Sequence, residues 1–370
     1  MNPNKLRIGI IGCGKIADAH VGEVRATGLA EVVAVCDRER LMAKQLADRF
    51  TIEGVFDDAA AMLRESHLDV VHVATPPDSH RALASMAFGA GCHVFLEKPF
   101  ALNAQDTQSV YDEAARASRL VAVNYLYNYE APYLELNKLL DSGSLGELVH
   151  IDASYGYDLA GDYGLAVLSD PAHWVHRLPG KLFHNVLDHV LCKAAPLFPS
   201  DEIEANCVAF RRRPASGSPI VDALPDELRF VVRCGNLTMN GYISAHARPV
   251  THTMRILGAR DSVALDFVGR TCVPVARQRY PSSIGRLIPA LDQAREFTSA
   301  FRRNVGAFRR YEYSFFQGMR RLLVAYYGSI RGQNESPQNP LVVVRTARAI
   351  DRIIEGVDRA MAQADKGARA

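Results

Sequence analysis

The sequence predicts two domains: an α/β domain with a doubly wound parallel sheet, then an α+β domain with a large open, mostly antiparallel sheet. Three observations support this fold class. The 370 residues are too many for one compact core. Short apolar runs alternate with helical patterns up to about residue 125, and strands that alternate apolar and polar residues follow from about residue 145. We therefore expect domains at 1–125 and 126–370.

Five apolar runs in the first domain have the character of buried parallel strands. Each has four to six residues, is rich in Val, Ile and Leu, and is flanked by Gly, Asp or Pro. Continuous apolar runs are typical of strands that are covered on both faces. The runs are Leu6–Ile11, Glu31–Cys36, Asp69–Ala74, His93–Leu96 and Leu120–Val123. Helical patterns such as Arg38–Phe50 and Ser79–Gly89 lie between them, which predicts βαβ units.

The second domain has predicted strands separated by hairpin signals such as Cys234-Gly235-Asn236, and several of them alternate apolar and polar residues. The predicted strands are Glu147–Tyr155, Glu204–Arg213, Glu227–Cys234, Asn236–Ile243, Thr253–Leu257 and Ser262–Phe267. Two late helices carry apolar stripes at helical spacing, one around Phe315–Ile330 and a last one at about 340–364, which we expect to pack back on the first domain. Both stripes predict core-facing helices.

Composition and charge exclude several classes of protein. The net charge of +2 provides no large field to attract nucleic acid. The first apolar run is too short for a signal peptide, and no run approaches the ~20 residues of a membrane span. The seven cysteines are scattered and never form a CxxC pair. We therefore expect a cytoplasmic protein with reduced thiols and no zinc site.

A glycine motif follows the first predicted strand. The strand Leu6–Ile11 leads into Gly12-Cys13-Gly14-Lys15-Ile16-Ala17, a GxGxxA pattern, and then into a helix. In a dinucleotide-binding Rossmann domain the first glycine makes a tight turn, and the second lets the backbone approach the pyrophosphate. The start of the helix offers N–H groups to the phosphates. The first domain is therefore predicted to bind a nicotinamide dinucleotide.

Asp37 ends the second predicted strand, 23 residues after Gly14. An acidic residue at about this distance binds the adenosine ribose, and its charge repels a 2′-phosphate, which favours NAD. Arg38 and Arg40 can accept a 2′-phosphate, so NADP stays possible. Asp37 could also cap the next helix, and the two roles are compatible.

A more specific pattern lies at residues 69–99. Val71-His72-Val73-Ala74-Thr75-Pro76-Pro77 is followed by His80 and by Phe95-Leu96-Glu97-Lys98-Pro99. With the glycine motif and the Lys15–His20 segment, this resembles the Gfo/Idh/MocA family of sugar and cyclitol oxidoreductases. The resemblance implies that Lys98 lies by the nicotinamide and substrate, with a peptide bond before Pro99 that is often cis. The cofactor contacts that it implies are Gly12, Gly14, Lys15, Ile16, Asp37, Arg38, Thr75, Pro76, His80, Glu97, Lys98 and Asn124.

The resemblance extends to a helix in the second domain. Asn185 and His189 match a family pattern of Asp or Asn followed four residues later by His, and this spacing puts both on one helix face. His189 is the best general base by motif, because imidazole titrates near neutrality. Asp188 and His184 are the alternative candidates for the general base. The sequence departs from the family pattern at three positions, where Lys181 and Leu187 replace glycines and Cys192 replaces an aspartate.

Further candidates surround this helix. Trp174 is the only tryptophan and either covers a sugar ring or packs in the core. The substrate contacts that we expect are Lys98, Trp174, His184, Asn185 and His189. His173, His176, His184 and His189 raise the question of a metal, but no HExxH pattern or carboxylate-rich cage accompanies them. We expect no metal.

An arginine-rich stretch spans 277–310, with eight arginines against Asp292 and Glu296. Four interpretations are open: a solvated amphipathic arm between strands, an oligomer contact, recognition of a nucleotide-sugar diphosphate, or contact with an anionic membrane. The first two are the simplest. Relatives often pair through the second-domain sheet, which implies a homodimer or homotetramer.

Three functions are consistent with these residues. The leading hypothesis is an NAD(P)-dependent oxidoreductase in which His189 takes the proton of a substrate hydroxyl, Lys98 holds its oxygen, and hydride passes to the nicotinamide. The substrate would be a sugar, nucleotide sugar or cyclitol. The alternatives are a redox-neutral epimerase or lyase with tightly bound NAD, and a sensor without turnover, which the presence of both Lys98 and His189 disfavours.

Overall fold

The computed structural model describes residues 5–275 and 283–369. The chain forms two compact units, which we call the first and the second unit. The first unit comprises Met1–Leu126 and Phe316–Ala347, and the second comprises Tyr127–Phe315 and Arg348–Ala370. A segment near the carboxyl end of the chain, which contains one of the two predicted late helices, thus belongs to the first unit.

The first unit contains a parallel sheet with helices between its strands. Its elements are β1 (Leu6–Ile11), α1 (Ala17–Thr27), β2 (Ala30–Cys36), α2 (Arg40–Phe50), β3 (Gly54–Phe56), α3 (Ala59–Glu65), β4 (Val70–Val73), α4 (His80–Gly89), β5 (His93–Leu96), α5 (Ala104–Arg116) and β6 (Val121–Val123). The strand order is β3-β2-β1-β4-β5-β6, with all neighbours parallel. The order reverses between β1 and β4, so the carboxyl ends of these two strands border the crevice where doubly wound sheets bind ligands.

The predicted doubly wound sheet is therefore confirmed, and two local differences exceed one residue. The sequence analysis missed β3, because its three residues are only partly buried and form no apolar run. The second helix begins at Arg40 rather than Arg38, because Oδ1 of Asp37 accepts the Glu39 N–H at 3.0 Å in a turn before the helix. The strands that bear the longest apolar runs are the most buried, and Ile8, Ile10 and Val71 are fully inaccessible.

The second unit contains a seven-stranded sheet. Its elements are α6 (Ala131–Asp141), β7 (Leu148–Gly156), α7 (Asp162–Ser169), α8 (Lys181–Ala194), β8 (Glu204–Phe210), α9 (Pro219–Asp222), β9 (Glu227–Cys234), β10 (Leu237–Ser244), β11 (His252–Gly258), β12 (Ser262–Asp266), β13 (Thr271–Pro274) and α10 (Ile284–Arg309). Helix α11 (Gln317–Ile330) lies in the first unit, and α12 (Pro340–Arg369) ends the described chain.

The second sheet is open and mostly antiparallel, as predicted. Its order is β13-β12-β11-β7-β10-β9-β8, in which β7 and β10 form the parallel pair. The predicted hairpin at Gly235 joins β9 to β10. Two differences from the predicted strands exceed one residue. The short edge strand β13 was missed, and β8 ends at Phe210 rather than Arg213, because the N–H groups of Arg212 and Arg213 donate to the Asp226 carboxylate instead of continuing the ladder.

The two faces of this sheet differ. One face is covered by α8 and α12, where Phe183, Leu187 and Ile353 belong to a buried apolar core. The other face borders a groove of about 890 Å³. Val208 and Val231 line this groove and keep 60% and 48% of their surface exposed.

The arginine-rich stretch is mostly helical. Arg277 and Arg279 lie outside the described residues, and Arg286 to Arg309 lie on α10, which follows the last strand. The interpretation as an arm between strands is therefore wrong. Phe301 and Phe308 on α10 are 66% and 70% exposed. No helix in the described ranges is long and apolar enough to cross a membrane.

Candidate functional site

The glycine motif forms a tight turn between β1 and α1. Gly12 has a φ of 95°, and a Cβ atom there would lie 2.7 Å from the carbonyl carbon of Ala74 at the end of β4. Gly14 differs, because no atom lies within 4 Å of the position of its Cβ. No side chain caps the start of α1 at Ile16. The turn is thus tightly packed at Gly12 but has free space beside Gly14. This space leaves room for a phosphate to approach the backbone.

Asp37 holds this turn against the end of β2. Its Oδ2 accepts the N–H of Cys13 at 2.8 Å, and its Oδ1 accepts the N–H of Glu39 at 3.0 Å. A carboxylate has about four acceptor sites, so both oxygens keep capacity for ribose hydroxyls. Arg38 is exposed, and Arg40 forms an ion pair with Asp57 at 3.2 Å. Asp37 therefore combines a turn-stabilising role with the ability to bind a ribose.

Glu97, at the carboxyl end of β5, is the centre of a buried hydrogen-bond network. Its Oε1 lies 3.0 Å from Nε2 of His20 and accepts a bond from the Asn124 amide at 2.6 Å. Its Oε2 accepts the N–H of Lys98 at 3.1 Å. Burial acts to raise the pKa of Glu97, but the hydrogen bond and charge of His20 and the Asn124 amide outweigh it, so the pKa is lowered. The carboxylate therefore stays ionised and fixes the backbone at Lys98.

The network continues through the centre of the sheet. Nδ1 of His20 lies 2.9 Å from Nδ1 of His72 on β4, and Nε2 of His72 lies 2.9 Å from the hydroxyl of Tyr327 on α11. All three side chains are fully buried. Burial first, and His20 second, lower the pKa of His72 well below its ordinary value. A chain of polar contacts thus connects α11, β4 and α1 to Glu97.

Asn124 leaves one polar atom unused. The residue is 3% exposed, and its Oδ1 has no hydrogen-bond partner among the described residues. A buried amide oxygen without a partner is costly, so it suits a site that a ligand completes. The open position at Gly14, the Asp37 carboxylate and this oxygen all lie at carboxyl ends of the first sheet. They fit a dinucleotide that runs across this edge, with its pyrophosphate at the turn.

The remaining predicted cofactor residues fall into two groups. Lys15 is exposed, Lys98 is half-buried, and the peptide bond between Lys98 and Pro99 is cis. His80, by contrast, is fully buried, with its ring nitrogens 2.8 Å and 3.1 Å from the carbonyl oxygens of Thr75 and Phe100. Burial lowers the pKa of His80, although the two carbonyls act in the opposite direction. His80 thus braces the Thr75-Pro76 loop from behind.

In the second unit, α8 carries the predicted pair Asn185 and His189. Asn185 is 7% exposed and its amide donates to the hydroxyl of Tyr163 on α7 at 2.7 Å. His189 is more accessible, and its ring stacks on Tyr155 with centroids 4.8 Å apart. His184 and Asp188, each 2% exposed, are almost fully buried. His189 is therefore the most accessible titratable side chain of this motif.

An aromatic group lies beside Asn185. The ring of Tyr163 contacts that of His173 edge-on at 5.9 Å, and His173 lies 5.5 Å from Trp174. Trp174 is partly buried and packs against an apolar cluster that includes Val175 and Leu182. Tyr163 is 40% exposed. Within residues 5–275 and 283–369, no three His, Cys, Asp or Glu side chains are grouped so as to hold a metal ion.

Part of the first unit matches a known family model. Residues 6–125 match the Gfo/Idh/MocA model, which describes an oxidoreductase family with an NAD-binding Rossmann fold. The match covers both the glycine motif and the Glu97-Lys98-Pro99 tripeptide, and confirms the resemblance and the NAD-binding domain that the sequence predicted.

Curated relatives match over the same part of the chain. D-glucoside 3-dehydrogenase from Escherichia coli is 34% identical over 149 residues, which cover 40% of this chain and 42% of the relative. Inositol 2-dehydrogenase from Salmonella typhimurium is 32% identical over 150 residues, covering 39% and 45%. The chain thus spans less than half the length of these curated relatives.

The fold likeness extends further. The WlbA dehydrogenase from Bordetella pertussis, solved with NADH and UDP-GlcNAcA, superposes with a TM-score of 0.76 over 97% of each chain, at 18% sequence identity. At this identity the likeness concerns the fold alone. The second unit therefore shares the fold of the corresponding part of that protein.

The structure also reveals residues that the sequence analysis did not single out as functional. His72 and Tyr327 connect to Glu97 of the Glu97-Lys98-Pro99 tripeptide through His20, and Tyr163 contacts Asn185. On α8, Lys193 is fully buried beside His252. A signal for Lys193 was present, since a lysine here interrupts an otherwise apolar helix end, but its burial could not be read from the sequence.

Proposed function

We propose that this protein is an NAD(P)-dependent dehydrogenase or reductase that acts on a CH–OH group of a sugar, nucleotide sugar or cyclitol. One observation carries the proposal: Lys98 follows a carboxylate that three hydrogen bonds fix at the carboxyl end of β5, in a unit of the Gfo/Idh/MocA family. A lysine held in this way is more precisely oriented than a surface lysine, whose side chain is free to move.

Each proposed catalytic residue has a chemical role. His189 accepts the proton of the substrate hydroxyl, since a neutral imidazole is a suitable base near neutral pH. Lys98 donates to the same oxygen and stabilises the negative charge that develops on it. Asn185, which is fixed by Tyr163, orients the hydroxyl groups of the substrate. Trp174 and His184 complete the proposed substrate contacts.

The proposed cofactor is NAD, with NADP possible. When bound, it supplies the hydride acceptor or donor. Gly12, Gly14 and Ile16 would hold the pyrophosphate, and Asp37 the adenosine ribose. Arg40 is already paired with Asp57, which leaves Arg38 as the arginine open to a 2′-phosphate. The Asp37 carboxylate would repel a 2′-phosphate, and only one of the two arginines is open to bind one, so NAD is the first choice.

The substrate follows from the relatives only as a class. The curated relatives are named for a glucoside and an inositol, and the WlbA structure contains a nucleotide sugar. The arginines of α10 are solvent-facing and partly paired, as in Arg295 with Asp292 at 3.5 Å, so they give little support to a diphosphate site. A polyol without a nucleotide is the simpler proposal.

A direct test uses substitutions of the two central residues. Lys98→Met and His189→Ala are each expected to lower kcat by about 10²-fold or more, because each removes a group that acts on the reacting oxygen. The measurement is reduced nicotinamide absorbance with a panel of glycosides, cyclitols and nucleotide sugars. Full activity in either variant would refute the role of that residue.

The same panel separates the alternatives. A redox-neutral epimerase or lyase would change the sugar without net reduction of added NAD and would retain its cofactor through purification. A sensor would bind NAD with unchanged affinity in both variants and turn over no member of the panel. Net cofactor reduction that depends on Lys98 contradicts both alternatives.

We also propose a homo-oligomer that forms through the exposed face of the second sheet. Val208, Val231 and Phe210 are exposed there, and the two valines line the groove. A patch of this kind on a sheet favours a second copy of the chain. The double variant Val208→Asp, Val231→Asp is expected to be monomeric in light scattering, while Leu41→Asp on α2 keeps the wild-type mass. An unchanged mass in the double variant contradicts this interface.

We place the protein in the cytoplasm as part of this proposal. None of its seven cysteines, which all lie in the described ranges, forms a disulfide bond, and six of them are buried. Burial raises the pKa of the Cys13, Cys36, Cys92, Cys207 and Cys272 thiols, which makes them poor nucleophiles. Reduced, unreactive thiols are consistent with a reducing compartment.

A further inference from the structure

Lys193, near the end of α8, is a buried cation in an unusual environment. It is 1% exposed, and its Nζ lies 2.7 Å from Nε2 of His252 on β11. The ammonium also lies over the rings of Tyr127 and Phe267, at 4.9 Å and 4.7 Å from their centroids. Among the described residues no carboxylate lies within ion-pair distance of it. The charge is thus held by an imidazole and two aromatic faces.

Burying a lysine in this way lowers the stability of the fold, which is unusual for a residue with only a structural role. Burial lowers the pKa of Lys193 to about 8, so the amine is still mostly protonated at neutral pH. A buried charge without a counterion destabilises a fold, and an apolar side chain of similar volume would pack there at lower cost. The chain nevertheless has a lysine at this position, which suggests that its charge has a use.

The nearest candidate for that use is His189. Residues four apart on a helix lie on the same face, so Lys193 follows His189 by one turn of α8. Nε2 of His252 lies 3.2 Å from the backbone oxygen of His189, and Tyr127 contacts the His189 ring edge-on at 5.5 Å. His252 and Tyr127 therefore both contact His189 and Lys193.

The imidazole of His252 is in direct contact with this charge. Burial and then the charge of Lys193 lower the pKa of His252 well below its ordinary value. The same charge one helical turn from His189 acts in the same direction, because two nearby positive charges repel each other.

We propose that Lys193 is a positioning residue whose buried charge keeps His189 neutral and able to accept a proton. The inference rests on the proposed function, in which His189 is the base. The charge disfavours the imidazolium form of His189, and the contacts of Lys193 with His252 and Tyr127 fix the end of α8 that carries His189.

Other titratable groups near this pair come from several elements. They are His252 on β11, Tyr155 on β7, Tyr133 on α6, Tyr127, the ion pair of Glu130 with Arg270, and His184, Asp188 and Cys192 on α8 itself. Burial raises the pKa of all three tyrosines, to about 12 for Tyr155, so they are neutral near pH 7. Glu130 and Arg270 offset each other at 3.5 Å. Asp188 adjoins His189 in sequence, and adjacent helix residues do not face each other.

The test is a charge-removing substitution that preserves volume. In Lys193→Met we expect the titration midpoint of the His189 imidazole to rise by about one pH unit, because the repulsion is lost. The measurement is NMR of histidine labelled at Cε1, with the His189 signal assigned from its absence in His189→Gln. Lys138→Met, which removes an exposed charge from α6 in the same unit, is the matched control and should leave the midpoint in place.

Stability and kinetics separate this role from a structural one. Lys193→Met is expected to keep or raise the free energy of unfolding, since an apolar side chain replaces a buried charge. The acid limb of kcat/KM for the oxidation should move to higher pH with the NMR midpoint. Lys193→Gln removes the charge but keeps a donor for His252, and should give the same shift. An unchanged His189 midpoint in either folded variant overturns the inference.

The NMR readout does not depend on turnover. If the wild-type protein reduces no cofactor with any substrate while the His189 midpoint still shifts in Lys193→Met, the proposed function fails and the electrostatic coupling stands. If the protein is an active dehydrogenase and the midpoint does not move, the coupling fails and the proposed function stands.

Discussion

The side-chain amide of Asn124 donates a 2.6 Å hydrogen bond to Oε1 of Glu97, and both residues are more than nine-tenths buried. This bond joins the end of β6 to the end of β5. The same carboxylate oxygen contacts His20 on α1, and the other one holds the backbone of Lys98. Glu97 therefore fixes the carboxyl edge of the first sheet at β5 and β6 through buried hydrogen bonds.

Replacing Glu97 with Gln should reveal this role through the dependence of stability on pH. The pKa of Glu97 is lowered in the folded state, so its contribution is present above the unfolded pKa and is lost as pH falls through the folded one. Glu97→Gln should lower the free energy of unfolding at neutral pH by about 2 kcal/mol, because an ionised acceptor is lost.

Urea unfolding between neutral pH and pH values below about 4 gives the measurement. The wild-type protein should lose stability on acidification more steeply than Glu97→Gln, and the two curves should converge. Glu39→Gln, at an exposed position before α2, serves as the control and should follow the wild type. Parallel curves for wild type and Glu97→Gln contradict an ionised Glu97 in the folded state.

Asp37 provides a prediction about cofactor choice. Its carboxylate should repel the 2′-phosphate of NADP, while Arg38 beside it is exposed. Asp37→Ser keeps an acceptor for the Cys13 N–H but removes the charge. We expect the ratio of the Kd for NADP to the Kd for NAD to fall by about tenfold. Calorimetric titration with both dinucleotides measures it, and Asp48→Ser on α2 is the control. A ratio that stays constant means that Asp37 serves only the turn.

The sequence was most informative where burial imposes a pattern. The strands at Leu6–Ile11, His93–Leu96 and Glu227–Cys234 have the predicted bounds, since two-sided burial or strict alternation leaves a clear signal. The three-residue β3 and the edge strand β13 carry too few residues for such a signal. The glycine motif and the Glu97-Lys98-Pro99 tripeptide were readable because their residues are adjacent in the chain.

Contacts between residues that are far apart in the chain could not be predicted from the sequence. The stripe that contains Tyr327 correctly predicted a core-facing helix, but nothing in it indicates that the hydroxyl reaches His72, 255 residues away. Lys193 illustrates a second limit. A lysine at the end of an amphipathic helix is expected in solvent, and only the packing of His252, Tyr127 and Phe267 around it creates the buried site.

Lys181 offers a prediction about backbone strain. The family pattern favours glycine here, and the φ of Lys181 is 48°, in the left-handed region that disfavours side chains. Lys181→Gly should raise the free energy of unfolding by about 0.5–1 kcal/mol, the relief of strain minus the entropy cost of glycine.

The matched control is Lys138→Gly within α6, where an ordinary helical backbone predicts a loss of about 1 kcal/mol. Chemical denaturation of both variants against wild type measures the two changes. A higher free energy of unfolding in Lys181→Gly together with a lower one in Lys138→Gly would support a strained backbone at the start of α8. A loss in Lys181→Gly similar to that in Lys138→Gly would show that no strain is stored at Lys181.

Tyr163 leads to a prediction about substrate affinity. Its hydroxyl accepts the amide of Asn185 at 2.7 Å, and its ring is 40% exposed beside His173. Tyr163→Phe removes the hydroxyl and leaves the ring, so Asn185 loses its anchor but not its neighbour. We expect KM for the polyol substrate to rise about three- to tenfold, equivalent to the ~1 kcal/mol of one hydrogen bond, with kcat within about twofold of wild type.

Tyr311→Phe, at a 91% exposed position, should change neither constant. Steady-state kinetics of the three proteins decide between two roles for Tyr163. A fall in kcat with unchanged KM would assign it to the chemical step instead, and unchanged constants would remove it from the substrate site.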